Sequence, residues 1–400
     1  MKQTQVQETF LQRLYHSHYL VQDHRVHGIC AVPGLALMDM VYRVAALYLD
    51  KQPIELRQVL FKQPIVTSED FDKNIYVTFT PIDSYWKVTI TSQKIKDDVI
   101  IDQQMEVNME CFMYVMNNRN NSQAFDVQAF MKQSTKQWDM DQMYDLVRKT
   151  KIFHDTFMKT EGTVYQWGNQ ELMELRLSSL AESYLDQFYA HAAFLDGSCL
   201  AGASFMVTGM QYNIFQKNTP YIPFMLERFC IYKPLPNKVY TYTEQTKTQE
   251  KISSAPDIVS RDITIFNEGG DILAEYNTFT VKRVREPQLI KKLTETRSLH
   301  INDIAKTHSI AHAVEQSEMI QTTKTIHQGR ESPHLASIQR YLQQEIADVL
   351  KIHAESVQTN TGFYELGLDS TQLLGLVKVL ENKVKTALYP TLLFEYSTVE

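Results

Sequence analysis

Two segments that are apolar on nearly every face constrain the fold of this chain more than any other feature. The first runs from Pro33 through LALMDMVYRVAALYL to about Leu49, and the second begins near Leu195 and runs through CLAGASFMV. A helix that is apolar all round needs cover on all sides. Alternating polar and apolar residues predict strands at Ile75–Phe79, Trp86–Ile90, Tyr240–Tyr242, Ile263–Phe266 and Phe279–Val281. The pattern therefore predicts an α+β domain in which each of two similar halves wraps a sheet around a buried helix.

The amino-acid composition changes after this domain. From residue 288 to residue 335 there is no Phe, Tyr or Trp, and polar residues dominate. Such a stretch buries little surface, so residues 288–333 are expected to form a flexible linker. Apolar residues return at helical spacing at Ile338, Leu342 and Ile346, and again after Ser370. We therefore expect three parts, which are a domain at 1–287, the linker, and a small all-α bundle at 334–400.

Composition excludes several functions. The chain has 400 residues with a net charge of −7 and no basic stripe, which argues against nucleic-acid binding. It contains no apolar run of the roughly 18 residues that a membrane span needs, and its first residues lack a signal-peptide pattern. The four cysteines are far apart, which argues against a disulfide framework or a zinc knuckle. A reduced protein of the cytoplasm is expected.

The most specific stretch is GFYELGLDSTQLLGLVKVLE, in which Leu366, Gly367, Asp369 and Ser370 form a Leu-Gly-x-Asp-Ser motif. This stretch resembles the acyl carrier protein family, and the resemblance implies that 4′-phosphopantetheine esterifies Ser370. A serine at a helix N-cap suits a phosphodiester, because unpaired N–H groups and the helix dipole favour negative charge there. An N-cap serine without any modification is the alternative reading. The family normally has one more helix beyond Glu400, so the carrier is expected to be truncated.

A second motif lies near the N-terminus. His24, Gly28 and Pro33 have the spacing HxxxGxxxxP, and the stretch His191–Gly202 places Asp196 after a histidine. Both stretches resemble the dehydratase domains of polyketide and fatty acid synthases, over about residues 1–285. The resemblance implies a double hot-dog fold, a catalytic base at His24 and a catalytic carboxyl group at Asp196. It also implies a homodimer, and partners among the other domains and modules of a polyketide synthase.

The chemistry that the resemblance implies needs these residue types. Loss of water from a 3-hydroxyacyl thioester on a carrier protein gives the α,β-unsaturated thioester, and it begins with removal of a weakly acidic proton from C2. Neutral imidazole is a suitable base, and a carboxylic acid can assist the leaving hydroxyl if burial raises its pKa. The enolate oxygen needs a backbone N–H, for which Gly28 and the helix start after Pro33 are the candidates.

Other interpretations of these side chains remain open. No metal site is expected from the four histidines near the N-terminus, because their spacing is irregular and no cysteine or carboxylate cluster joins them. We expect His27 to be structural and His191 to be a core histidine. Asp196 taken alone could be a helix cap. The four histidines are His16, His18, His24 and His27.

The sequence also departs from the dehydratase pattern. Leu200 stands where the family has Gln or His, and Ala192 stands where it has Pro. The Tyr-Gly-Pro-x-Phe stretch is matched only weakly, at Trp167–Asn169, and nearby Tyr165 is a candidate for the family tyrosine. These departures leave two alternatives to dehydration. One is a double-bond-shifting enoyl isomerase of the same fold, and the other is an inactive structural domain. The retained Asp196 favours dehydration.

Overall fold

The computed structural model describes most of the first 284 residues and parts of the C-terminal region. The chain divides into two compact units, Met1–Lys306 and Thr307–Glu400. The predicted linker at 288–333 lies outside the described residues except for four positions, so it stays a prediction. The structure describes residues 7–48, 53–116, 124–211, 213–217, 219–245, 258–284, 291, 293–294, 333–363, 366, 368, 370–384, 393 and 398–399.

The first half of the N-terminal unit contains one long helix among antiparallel strands. Its elements are β1 (Glu8–Leu14), α1 (Tyr19–Gln22), β2 (His24–Val26), β3 (Ile29–Cys30), α2 (Ala36–Tyr48), β4 (Ile54–Phe61), β5 (Asp72–Ile82), β6 (Tyr85–Lys96), β7 (Val99–Ile100) and β8 (Glu106–Val115).

The second half repeats this arrangement with more and shorter helices. Its elements are α3 (Val127–Gln133), β9 (Lys136–Asp139), α4 (Met140–Arg148), β10 (Ile152–His154), β11 (Thr160–Glu161), β12 (Thr163–Trp167), β13 (Gln170–Leu177), α5 (Ser179–Glu182), α6 (Ala192–Ser198), α7 (Ala203–Val207), β14 (Tyr221–Ile231), β15 (Lys238–Glu244), β16 (Ile258–Phe266) and β17 (Ile272–Arg283). Single 3-10 turns lie at Leu185–Gln187 and Ile214–Lys217.

One continuous antiparallel sheet joins the halves. Twelve of its 14 strands follow the order β1-β5-β6-β8-β4-β14-β17-β16-β15-β13-β12-β9, and the halves meet where β4 pairs with β14. A separate three-stranded sheet has the order β10-β2-β3. This small sheet pairs a strand of the second half with two strands of the first. It therefore brings residues distant in sequence to one place.

Helix α2 is buried from Ala36 to Tyr42, as its apolar pattern predicts, whereas Leu47 near its end is 88% exposed. Met38 and Val41 have no exposed surface, and Tyr42 is nearly fully buried. The Tyr42 hydroxyl accepts a hydrogen bond of 3.1 Å from the N–H of Ile231 at the end of β14. The helix of the first half is thus tied to the strand that joins the halves.

The second apolar segment is not one helix, and the prediction of a continuous helix there is wrong. It forms α6 and α7, separated at Gly202, which has a φ of 86°. The carboxylate of Glu171 accepts the N–H groups of Gly202 and Ser204, which satisfies the start of α7. A Cβ at Gly202 would lie 1.6 Å from the Arg261 guanidinium. Positive φ and this close approach both require glycine, and they break the helix.

The C-terminal unit contains two amphipathic helices, as their spacing predicts. They are α8 (Pro333–Leu350) and α9 (Ser370–Val384), with a 3-10 turn at Ala354–Ser356. Ile346, Phe363 and Leu373 are among the buried residues of its core. In the described part of the whole chain, no helix is long and apolar enough to cross a membrane.

Candidate active site

A cavity in the N-terminal unit contains the two sequence-predicted catalytic residues. His24 from the first half and Asp196 from the second both line it. Most of its wall is apolar and includes Leu37, Phe61 and Leu200. Apolar walls exclude water and strengthen electrostatic interactions between the few polar groups inside.

His24 opens β2, and its ring is held by the backbone of its own hairpin. Its Nδ1 lies 2.8 Å from the carbonyl oxygen of Ala31. A carbonyl only accepts, so Nδ1 carries the proton and Nε2 is the basic nitrogen of the neutral ring. Burial is the main cause that lowers the pKa of His24, while the nearby Asp196 carboxylate acts in the opposite direction. The imidazole is therefore neutral near pH 7, as a base must be.

Asp196 lies inside α6 and does not cap it. The N-cap is His191, which is fully buried and accepts the N–H of Ala193 through Nδ1. The absent side chain of Gly197 lets α6 pack closely, because a Cβ there would lie 3.0 Å from the Thr160 hydroxyl. The structure thus places His191 in the core, as expected, and turns Asp196 towards the cavity.

The charge state of Asp196 differs from the sequence-based expectation. Burial by itself raises the pKa of this carboxyl group. His154 and then His24 act in the opposite direction and hold the pKa below its ordinary value. Asp196 is therefore a carboxylate near pH 7, and the Nε2–H of His154 donates to its Oδ2 over 2.7 Å.

His154 is the member of this site that sequence reasoning missed. It lies at the end of β10, directly opposite His24 in the antiparallel pair of β10 and β2. The two rings are 5.2 Å apart, and only 4% of the His154 surface is exposed. No motif points to this residue. The strand pairing that brings it to the cavity is the signal, and a single sequence does not give that register.

His24, His154 and Asp196 form one cluster. One ligand atom from each lies within 4.8 Å of the others. Two imidazoles and a carboxylate this close can exchange protons through a hydrogen bond or one bridging water. They are also donors of the kind that bind transition-metal ions. From the sequence we expect no metal site, and this expectation stays a prediction.

The other predicted positioning residues lie elsewhere. Gly28 has a φ of 80° at the turn between β2 and β3, and it is not among the residues that line the cavity. Pro33 also lies outside the lining, although the adjacent Gly34 belongs to it. Tyr165 is on β12 and packs in a separate cluster with Phe130. The structure therefore does not bring Tyr165 to His24, and the expectation that it positions substrate is corrected.

The structure shows where two of the departures from the dehydratase pattern lie. Leu200 lines the cavity and offers no hydrogen bond to Asp196. Trp167 ends β12 with 43% of its surface exposed, and Gly168 has a φ of 57° in the turn to β13. The stretch Trp167–Asn169 is therefore a surface turn. His154 is the hydrogen-bond partner of Asp196, a role that neither Leu200 nor this turn can take.

Ser370 is the first residue of α9, a helix of 15 residues. The chain leads into it through Leu368, which is buried in the core of the C-terminal unit. A helix of this length presents unpaired N–H groups and a positive dipole end at its start. This position fits the phosphodiester of a phosphopantetheine group on Ser370.

Comparisons with protein families identify both units. Residues 2–93 match the model described as polyketide synthase dehydratase domain, and residues 122–290 match the polyketide synthase dehydratase N-terminal domain. Residues 340–400 match the phosphopantetheine attachment site. The C-terminal unit is therefore a carrier domain that takes a covalent phosphopantetheine.

Curated relatives come from Bacillus subtilis (strain 168). Polyketide synthase PksM is 25% identical over 382 residues, which are 95% of this chain and 8% of the relative. Polyketide synthase PksL is 23% identical over 389 residues, with the same shares. The chain thus spans about 8% of the length of these relatives.

Solved structures agree with the family models. An N-terminal dehydratase from the difficidin assembly line is 47% identical, with a TM-score of 0.66, over 72% of this chain and 97% of that one. A monomeric dehydratase domain from a trans AT polyketide synthase split module has 19% identity, a TM-score of 0.62, and coverage of 70% and 100%. The second likeness supports the double hot-dog fold alone. With the first and the family models, it shows that this chain belongs to the polyketide synthase dehydratase family and carries a phosphopantetheine carrier domain after its dehydratase domain.

Proposed function

We propose that this chain removes water from a 3-hydroxyacyl thioester on a carrier protein and yields the α,β-unsaturated thioester during polyketide assembly. One observation carries the proposal. His24 and Asp196, which are distant in sequence and lie in different halves of the fold, meet in one apolar cavity within the cluster that spans 4.8 Å. A base and a carboxyl group are the two groups that this elimination needs.

His24 acts as the base in this proposal. Its Nδ1 proton is committed to the Ala31 carbonyl, so Nε2 is free to take the proton from C2 of the acyl chain. Burial lowers the pKa of His24, which keeps the ring neutral at pH 7. The electron pair of the broken C2–H bond forms the new C2–C3 double bond as the C3–O bond breaks.

Asp196 binds the leaving hydroxyl. One carboxylate oxygen accepts the hydrogen bond from His154, and the other is available to accept a hydrogen bond from the 3-hydroxyl group. The hydroxyl departs as water after it receives a proton from the same cluster. The apolar wall that includes Leu37 and Phe61 keeps bulk water away from these groups.

The start of α2 is the proposed site for the enolate oxygen. Gly34 lines the cavity immediately before α2 begins. The N–H groups of Ala36, Leu37 and Met38 already donate to the carbonyls of Pro33, Gly34 and Leu35. The N–H of Gly34, just before the helix, is therefore the candidate that holds the developing negative charge. Of the two sequence-based candidates, this assignment keeps the helix start after Pro33 and drops Gly28, which lies in a turn outside the cavity lining.

Ser370 is the proposed attachment residue of phosphopantetheine, which supplies the thiol that carries the acyl chain as a thioester. The proposed domain limits remain 1–287 and 334–400, with the linker between them. We also propose a cytoplasmic location and partners among other polyketide synthase domains. All four cysteines are free, which agrees with a reducing compartment. The homodimer rests on family resemblance alone.

An intact-mass experiment tests the proposed activity. The chain is loaded on Ser370 with a 3-hydroxyacyl phosphopantetheine and weighed over time. Loss of the mass of one water is the expected result. The same experiment with His24→Ala separates enzymatic loss of water from spontaneous loss. If the mass of the wild-type chain stays constant, or if His24→Ala loses water equally fast, the proposed function is wrong.

A further inference from the structure

We propose that His154 is a positioning residue that holds the Asp196 carboxyl group and stores, jointly with it, the proton that the leaving hydroxyl takes. This inference rests on the proposed function. It assigns a role to a side chain outside both sequence motifs.

The hydrogen bond between the two residues carries the inference. His154 Nε2 lies 2.7 Å from Asp196 Oδ2, and the exposed fractions of the two side chains are 4% and 13%. Nδ1 of His154 is buried without a hydrogen-bond partner among the described residues. Among the described residues, Asp196 is therefore the hydrogen-bond partner of this ring. Ring contacts with Tyr144 at 5.1 Å and His24 at 5.2 Å fix its orientation.

The charge state of Asp196 explains why this carboxyl group needs a partner that supplies a proton. Although burial acts to raise it, the pKa of Asp196 is held below its ordinary value, chiefly by His154. A lone carboxyl group in that state is ionised near pH 7 and has no proton to give. A proton shared between His154 Nε2 and Asp196 Oδ2 remains within reach of a hydroxyl group bound at the other carboxylate oxygen. Leu200, the cavity residue four positions after Asp196, has an apolar side chain and cannot supply this proton.

The proton balance closes over one turnover. The C2–H bond breaks and its proton moves to His24 Nε2. The pair starts with one proton on His154 Nδ1 and one shared between His154 Nε2 and Asp196 Oδ2. The C3–O bond breaks, the shared proton joins the departing hydroxyl, and water leaves, so that a neutral His154 protonated on Nδ1 and the Asp196 carboxylate remain. His24 then returns the C2 proton to the His154–Asp196 pair through one water molecule, such as the product water, because the ligand atoms of the three residues lie within 4.8 Å. No oxidant, reductant or second substrate is required.

Two substitutions separate a functional from a structural role. His154→Gln keeps an N–H donor near the position of Nε2 but holds no titrating proton, and His154→Phe keeps the ring volume without a hydrogen bond. With a 3-hydroxyacyl pantetheine thioester, kcat should fall about 10-fold to 100-fold in His154→Gln and further in His154→Phe, within the range of proton-transfer catalysis. KM should change less than about threefold, because binding of the apolar chain is unaffected.

A readout independent of turnover accompanies the kinetics. Carboxyl 13C NMR of the full chain should show the titration of Asp196 at higher pH in both variants, since the group that lowers its pKa is gone. The matched control is His191→Asn, which replaces a buried histidine outside the cavity lining by another good N-cap residue. It should leave the titration of Asp196 and the kinetics unchanged.

The outcomes decide the proposal. Folded His154→Gln and His154→Phe with wild-type kcat, or an unmoved Asp196 titration, would overturn it. A lower kcat that is fully explained by a lower Tm, with the pH dependence of kcat unchanged, would also overturn it. If the wild-type chain does not dehydrate the thioester, the proposed function fails, while the Asp196 titration still decides whether the His154–Asp196 pair exists.

Discussion

His24 and His154 face each other across the antiparallel pair of β2 and β10, with their rings 5.2 Å apart. Each ring uses one nitrogen for a fixed partner, which is the Ala31 carbonyl for His24 and the Asp196 carboxylate for His154. The small three-stranded sheet therefore builds the site, because it joins a strand of the first half to a strand of the second. The apolar wall around them comes from both strands and helices, for example Phe61 on β4 and Leu37 on α2.

Replacing His24 by Ala should reduce kcat by about 10²-fold to 10⁴-fold, the usual contribution of a positioned base. The measurement is alkene formation from a 3-hydroxyacyl pantetheine thioester by the full chain. His27→Asn is the control, because His27 lies in the turn after β2 with a φ of 52°, a conformation that Asn accepts. Equal rates for His24→Ala and the wild type would remove His24 from the mechanism.

Ser370→Ala should abolish attachment of phosphopantetheine, because the esterified oxygen is absent. Intact mass spectrometry after treatment with a phosphopantetheinyl transferase and coenzyme A measures this. Ser356→Ala, in the 3-10 turn of the same unit, should be modified like the wild type. Dehydration of a free pantetheine thioester should persist in Ser370→Ala. Modification of the Ser370→Ala chain would place the attachment residue elsewhere.

His191 should make the N-terminal unit less stable as the pH falls. Burial lowers its pKa from 6.5 to about 4. Between pH 6.5 and 4 the folded state therefore keeps His191 neutral, while the unfolded state takes up a proton. The free energy of unfolding decreases by roughly 3 kcal/mol over this pH range. Denaturant unfolding of wild type and His191→Asn over this window should show a smaller decrease in the variant. Parallel curves would contradict the prediction.

Asp39 on α2 should have the opposite pH dependence. Its Oδ1 accepts the N–H groups of Tyr189 and Ala190, both at 2.8 Å, and burial raises its pKa to about 7. The folded state binds the proton between pH 3.8 and about 7, so this group loses stabilising effect as the pH rises through that window. Asp39→Asn keeps the acceptor and removes the titration.

The comparison of two substitutions tests this role of Asp39. At pH 8 the Asp39→Asn chain should be the more stable one, by at most roughly 4 kcal/mol relative to wild type. Asp39→Ala leaves two buried N–H groups without a partner, which costs about 1–3 kcal/mol for each. Thermal unfolding at pH 5 and pH 8 measures both effects. A stability difference between Asp39→Asn and wild type that is the same at both pH values would show that Asp39 does not titrate in this range.

Part of the fold and site could be predicted because the signals are local. The all-round apolar pattern of α2, the spacing of His24, Gly28 and Pro33, and the helix that Ser370 opens are all properties of a few consecutive turns or strands. The break at Gly202 was not predicted, because it depends on Glu171 and Arg261, which approach from other strands.

The sequence by itself determined the two buried apolar segments, the residues His24, Asp196 and Ser370 as candidates, and the family to which they point. Only the tertiary structure decided that His154 contacts Asp196, that Tyr165 lies in another cluster, and that the pKa of Asp196 is lowered although it is buried. The physical reason is that periodicity and capping act over neighbouring residues. The distance between His154 and Asp196, by contrast, depends on strand register and helix packing across 42 residues of chain.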